Sequence, residues 1–180
     1  MALIKDDLLS TIREASNTLV KCMAIVTATE LCGSFITGKT GNGTTRENFL
    51  AFWKSSYMPT EYHDLSELFY NILRNGVSHS FVVKGGVIPS GDERGARDHL
   101  KFFLNGIFVY VPTLAKDVEN GILMLLEDIH QNKNELKIRY KTVLNELVYS
   151  GMIEYKKYCS EKSIQVINYA IPGDIHDDVS

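Results

Sequence analysis

Paired cysteines, surplus basic charge and long apolar runs are all missing from this chain of 180 residues, and each absence removes a class of protein. Its three cysteines, Cys22, Cys32 and Cys159, are odd in number and show no CxxC spacing. A disulfide scaffold or a zinc ribbon needs pairs at short spacing, so reduced and buried thiols in a cytoplasmic protein are expected. Nineteen Lys and Arg against 22 Asp and Glu give a formal net charge of −3 and a pI near 5.9. That balance argues against wholesale nonspecific coating of nucleic acid, which relies on many Lys and Arg contacts to phosphates. No run approaches the roughly eighteen uninterrupted apolar residues of a membrane span. The start, Met1 to Asp7, carries acids where a secretory signal carries a basic segment before an apolar one. Neither a membrane nor a signal peptide is expected. There is no internal repeat, no low-complexity tract and no Pro/Ser-rich linker.

What is present is enough to build a core, since 44% of residues are hydrophobic. Leu8, Ile12, Ala15, Leu19, Cys22 and Val26 recur at alternating steps of four and three, the stripe of one long amphipathic helix from Asp6 to Leu31. A Gly-rich loop with Gly33, Gly38, Gly41 and Gly43 comes next. Thr44 and Glu47 have capping-box spacing ahead of Phe49, Leu50, Phe52 and Trp53. Tyr57-Met58-Pro59 stops that second helix. Thr60 or Asp64 then caps a third, which carries Leu65, Leu68, Phe69, Ile72 and Leu73 and is ended or bent by Gly76. Trp53, Tyr57 and Tyr62 read as core residues rather than as a base-stacking platform.

From Phe81 to Val111 the texture changes to short runs rich in Val, Phe and Ile, with Asn105-Gly106 placed as a two-residue hairpin turn. Pro112-Thr113 opens a helix on Leu114, Val118, Ile122, Leu125 and Ile129. A last one, from about Asn134, uses Leu136, Tyr140, Leu144, Leu147 and Met152. The expectation is a mainly α, single-domain bundle of about five helices over residues 1–172, with a small antiparallel β insert at about 81–111. Residues 173–180 would be a flexible acidic tail.

The third helix ends in Phe69-Tyr70-Asn71-Ile72-Leu73-Arg74-Asn75-Gly76-Val77-Ser78-His79. This resembles the Arg-x4-6-His motif of the HEPN superfamily (higher eukaryotes and prokaryotes nucleotide-binding), with Asn75 in the polar position directly after the arginine. The resemblance implies a dimeric helical bundle, and often a metal-independent ribonuclease with its site shared between two copies. RNA cleavage requires a proton to leave the attacking 2′-hydroxyl and another to reach the leaving oxygen, and His79 can serve in either step. Arg74 would stabilise charge on the phosphoryl oxygens, and Asn75 would orient phosphate or imidazole. One histidine serves both transfers poorly, and a two-fold dimer supplies a second. The expected partners are therefore RNA and a second copy, with no cofactor and no metal. The competing reading is a noncatalytic helical interaction module, in which a carboxylate holds Arg74 at the helix end.

Spacing alone does not single out this site, because Arg94 to His99 repeats it after the turn-rich Pro89-Ser90-Gly91-Asp92, with no helical run before it. A rival motif, Gly33-Ser34-Phe35-Ile36-Thr37-Gly38-Lys39-Thr40, satisfies the phosphate-binding pattern G-x-x-x-x-G-K-[ST]. That loop requires a strand before it and a helix opening at Gly-Lys-Thr, whereas here a helix leads in and Gly41-Asn42-Gly43 would break the helix that should open there. Ser78 lacks a base and an oxyanion partner. His63, His99, His130 and His176 show no metal-ligand spacing.

Overall fold

A computed structural model describes residues 2–41, 43–80, 83, 85–131 and 134–164. It is mainly helical, 71% helix in six helices with one small sheet. The proposed tail at 173–180 and the Phe81-Val82 run lie outside the described residues.

The long N-terminal helix expected from the stripe is two helices, α1 (Ala2–Glu14) and α2 (Thr18–Thr37). Asn17 divides them. Its backbone is extended and its Oδ1 accepts from the N–H groups of Leu19 (2.8 Å) and Val20 (3.2 Å), satisfying donors that a helix start leaves unpaired. Lys21 Nζ donates to the Arg13 carbonyl at 3.3 Å on the other side of the break. The heptad-like stripe survives because both helices turn the same apolar face inward.

The centre of the fold is α2. Its mean hydropathy of 1.6 makes it long and apolar enough to cross a membrane by length and composition, and 50% of that stretch is buried inside the protein. It ends on Gly38, whose φ of +71° is the left-handed cap conformation and whose N–H donates to the Ser34 carbonyl at 2.7 Å. Helix α3 (Thr45–Trp53) lies directly against it. The two backbones touch at Gly33, where a Cβ would sit 1.7 Å from the Asn48 carbonyl oxygen. Thr44 precedes α3 as expected, yet it makes no side-chain cap. Its hydroxyl donates instead to Gly41.

Helix α3 contributes the aromatic heart of the core. Trp53 stacks on Phe49 with centroids 5.1 Å apart and meets Phe69 (5.1 Å) and Tyr62 (5.8 Å) edge-on, and all four are fully buried. These contacts fix the next helix, α4, which spans 66–80 as α-helical Ser66–Leu68, π-helical Phe69–Arg74 and α-helical Asn75–Ser80. Gly76 does not end it, because the helix runs on through that glycine.

The insert forms a three-stranded sheet, β1 (Gly86–Ser90), β2 (Phe102–Phe103) and β3 (Gly106–Tyr110), in the order β1-β3-β2. It is mixed rather than wholly antiparallel, since β1 pairs parallel with β3 and only β2 pairs antiparallel. The hairpin turn is Leu104-Asn105, one residue earlier than expected. Gly106 is already in the ladder opposite both Phe103 and Gly86. With φ +142° and a Cβ position 2.5 Å from Gly86 backbone atoms, only glycine fits there. The parallel partner therefore decided the register, which a hairpin signal alone cannot supply. Helices α5 (Val111–His130) and α6 (Asn134–Glu161) close the bundle around α2.

Replacing Gly33 with Ala should destabilise the protein by about 3 kcal/mol, at the upper end of overpacking costs, because rigid backbone rather than a mobile side chain must yield. Urea unfolding of Gly33→Ala checks this, and a loss below 1 kcal/mol would mean that α2 and α3 separate freely.

Candidate functional site

Arg74 ends the π-helical segment of α4, and the sequence explains why the helix widens there. Phe69, Leu73 and Val77 are all fully buried, and they succeed one another at two steps of four. In a regular α-helix each such step drifts by about 40°, so the third residue would leave the core. The wider π turn, in which the Asn75 N–H reaches the Tyr70 carbonyl, holds the three in line. This is the π-helical stretch among the described residues, and π segments occur often at functional sites.

The guanidinium of Arg74 is 15% exposed and lies against Glu30 of α2, itself 29% exposed. Its Nε and Nη2 donate to Glu30 Oε2 at 3.1 and 2.9 Å. Nη1 donates to Asn75 Oδ1 at 3.4 Å, and the Tyr70 ring lies 5.8 Å from the guanidinium carbon. Arg74 and Asn75 are thus brought together as expected. His79 belongs to the same helix, and its side chain lies outside the described residues.

Glu30 was not anticipated, although the sequence carried a signal for it. In the twenty residues of α2 the only charges are Lys21 and Glu30. Lys21 lies in the first turn, near water. An acid in the middle of a core helix requires a cation, and Arg74 supplies it. The pair has two consequences. It orients the guanidinium from one edge, and it sets a carboxylate in competition with any phosphate that approaches.

The other candidates are placed differently. Residues Gly33 to Thr37 of the rival motif lie within α2, so no strand precedes the loop and no helix opens at Lys39. Lys39 Nζ pairs with Glu47 at 2.6 Å and the Thr40 hydroxyl donates to Glu146. Asn48 closes the loop by accepting from the Thr37 hydroxyl at 2.6 Å and donating to the Lys39 carbonyl at 3.1 Å. Burial pushes the Cys22 and Cys32 thiols up to about 12, which makes them inert apolar residues rather than nucleophiles. His63 faces the carbonyls of Ser55 and Met58 at 3.1 and 3.2 Å. Among the described residues no group of three or more His, Cys, Asp or Glu could hold a metal.

His99, of the second Arg-x4-His match, has a structural task. Its Nδ1 accepts the Tyr110 N–H at 3.0 Å, which leaves the proton on Nε2 to be donated to the Tyr62 hydroxyl oxygen at 2.8 Å. Tyr62 then donates to Asp117 at 2.7 Å. This chain ties the sheet to α5 through a fully buried tyrosine. The Arg94 side chain lies outside the described residues.

Comparison with protein-family models, with curated proteins and with solved structures gives no match. The reading of the site therefore rests on its own geometry and chemistry.

In urea unfolding, Arg74→Met and Glu30→Gln should each cost about 1–3 kcal/mol, and the double variant should show coupling of about 1 kcal/mol or more, between the values of exposed and buried pairs. Zero coupling would mean the pair does not hold the helix. A second measurement concerns pH. Desolvation lowers the His99 pKa below its ordinary 6.5, against the opposing pull of Asp117 and Glu61. The unfolded chain thus binds this proton more readily than the folded one, so stability is complete above pH 6.5 and is lost as pH falls from 6.5 through the lower folded value. The melting temperature should drop between pH 7.5 and pH 5.5, and by less in His99→Gln. Equal drops in both proteins would assign the effect to other groups.

Proposed function

We propose that this chain is a HEPN-like, cytoplasmic RNA-binding or RNA-cleaving protein, in which Arg74 engages phosphate, His79 transfers protons and Asn75 supports the guanidinium. The observation that carries this reading is the π-helical segment ending at Arg74. It places the arginine, the asparagine and the histidine on one unbroken helix, directly beside the aromatic core that makes that helix rigid. A site on a rigid element holds its geometry better than one on a loop.

The chemistry is acid–base catalysis on the 2′-hydroxyl and the leaving 5′-oxygen, with Arg74 neutralising charge as it builds on the phosphoryl oxygens. A second copy would bring a second His79 to the cleft, so that one imidazole accepts a proton while the other donates. No metal enters this scheme. Glu30 holds Arg74 before substrate arrives, and a phosphate would share or displace it.

The Arg74–Glu30 pair specifically favours a second reading, a noncatalytic interaction module in which the arginine only locks α4 to α2. RNA incubation with purified protein in the presence of a chelator separates the two. The first reading expects cleavage that Arg74→Ala and His79→Ala each abolish. Cleavage undiminished in either variant overturns it. If the wild type neither cleaves nor binds RNA, while Arg74→Ala lowers the melting temperature, the second reading stands.

A further inference from the structure

The 28-residue helix α6 does not stop where the bundle stops. Its first half is packed, with Val143 fully buried, Tyr140 8% exposed and edge-on to Phe35 at 4.9 Å, and Arg139 Nη1 donating to the Ile36 carbonyl at 2.6 Å. The Thr40–Glu146 hydrogen bond marks the edge of the bundle. Beyond it the helix continues to Glu161, about 22 Å further at 1.5 Å per residue.

That projecting part is apolar where a solvated helix would be polar. Leu147, Val148, Met152, Tyr155 and Tyr158 are between 45% and 56% exposed. At about 100° per residue they share an arc of roughly 140° with Gly151 near its middle. The arc continues the face that Tyr140 and Leu144 turn toward the bundle. One continuous apolar stripe is therefore covered by the bundle over its first half and left open over its second. Gly151 costs about 1 kcal/mol of helix propensity relative to Ala, and nothing lies within 4 Å of its Cβ position. A glycine central to an exposed apolar stripe permits close approach of another backbone.

We infer that the projecting half of α6 is a dimerisation element, packed antiparallel against the same segment of a second copy and crossing near Gly151. The direction comes from the fold. A parallel partner would run back along the half of the stripe that the bundle already covers. An antiparallel partner runs outward past Glu161, and its own bundle then lies at the far end. The two-fold axis at Gly151 makes the contact self-complementary. Half-exposed side chains of this size offer roughly 500 Å² per copy, or about 1,000 Å² for the pair, the lower bound for a specific interface and at the scale of patches that carry function. This contact is separate from the Arg74 site and does not depend on the RNA reading.

Sedimentation equilibrium of the full chain should give a dimer at micromolar concentration. Met152→Lys combined with Tyr155→Glu should give a monomer with unchanged circular dichroism and melting behaviour when dilute, because both side chains face solvent in the single chain. A monomeric wild type at submillimolar concentration overturns the inference, and so does a dimer that persists in the double variant. If the wild type is monomeric and truncation after Ile164 makes it dimeric, the stripe is covered by the chain's own residues 165–180, and the inference is likewise overturned. Loss of RNA cleavage with the dimer intact would bear on the Arg74 site alone.

Discussion

The burial of α2 is the constraint on which the rest of the fold depends. A helix of twenty residues with two charges must be surrounded, and α1, α3, α4, α5, α6 and β1 all pack against it. The close approach at Gly33 brings α3 near enough for its aromatic residues to reach α4. The same burial makes Glu30 costly unless it is paired. An arginine from the helix opposite is the geometric answer, and the candidate site begins there.

Two local distortions then share one cause. The break at Asn17 and the π segment at Phe69–Arg74 both occur where apolar spacing and regular α geometry part company. Asn17 resolves the conflict by ending one helix and capping another. Phe69, Leu73 and Val77 resolve it by widening the turn. Only the second places a polar pair, Arg74 and Asn75, beside the acid of the central helix, so the motif region combines a rigid aromatic base with charged groups held in tension. The other polar network, from Tyr110 through His99 and Tyr62 to Asp117, ties the sheet down and keeps its groups out of solvent.

A helix that serves the bundle with half its length and leaves the other half open links packing to assembly. The stripe on α6 is a single periodic pattern, and what divides it is the size of the bundle, not the composition of the helix. Hydrophobic burial is non-directional, so the exposed half retains the same tendency that folded the first half.

By itself the sequence determined the helices, because hydrophobic periodicity, Pro112 and the Gly38 cap are local signals of backbone preference. It also determined that Trp53, Tyr62 and the cysteines Cys22 and Cys32 are buried, and that Arg74 and Asn75 fall at a helix end with a carboxylate as the rival partner. What tertiary structure alone decided is pairing. Glu30 meeting Arg74, Tyr62 joining His99 to Asp117, β1 lying parallel to β3 and the hairpin register at Gly106 all join residues distant in the chain. Their energies depend on which surfaces are already buried. Periodicity reports which face a residue takes, and only the assembled core reports what lies opposite.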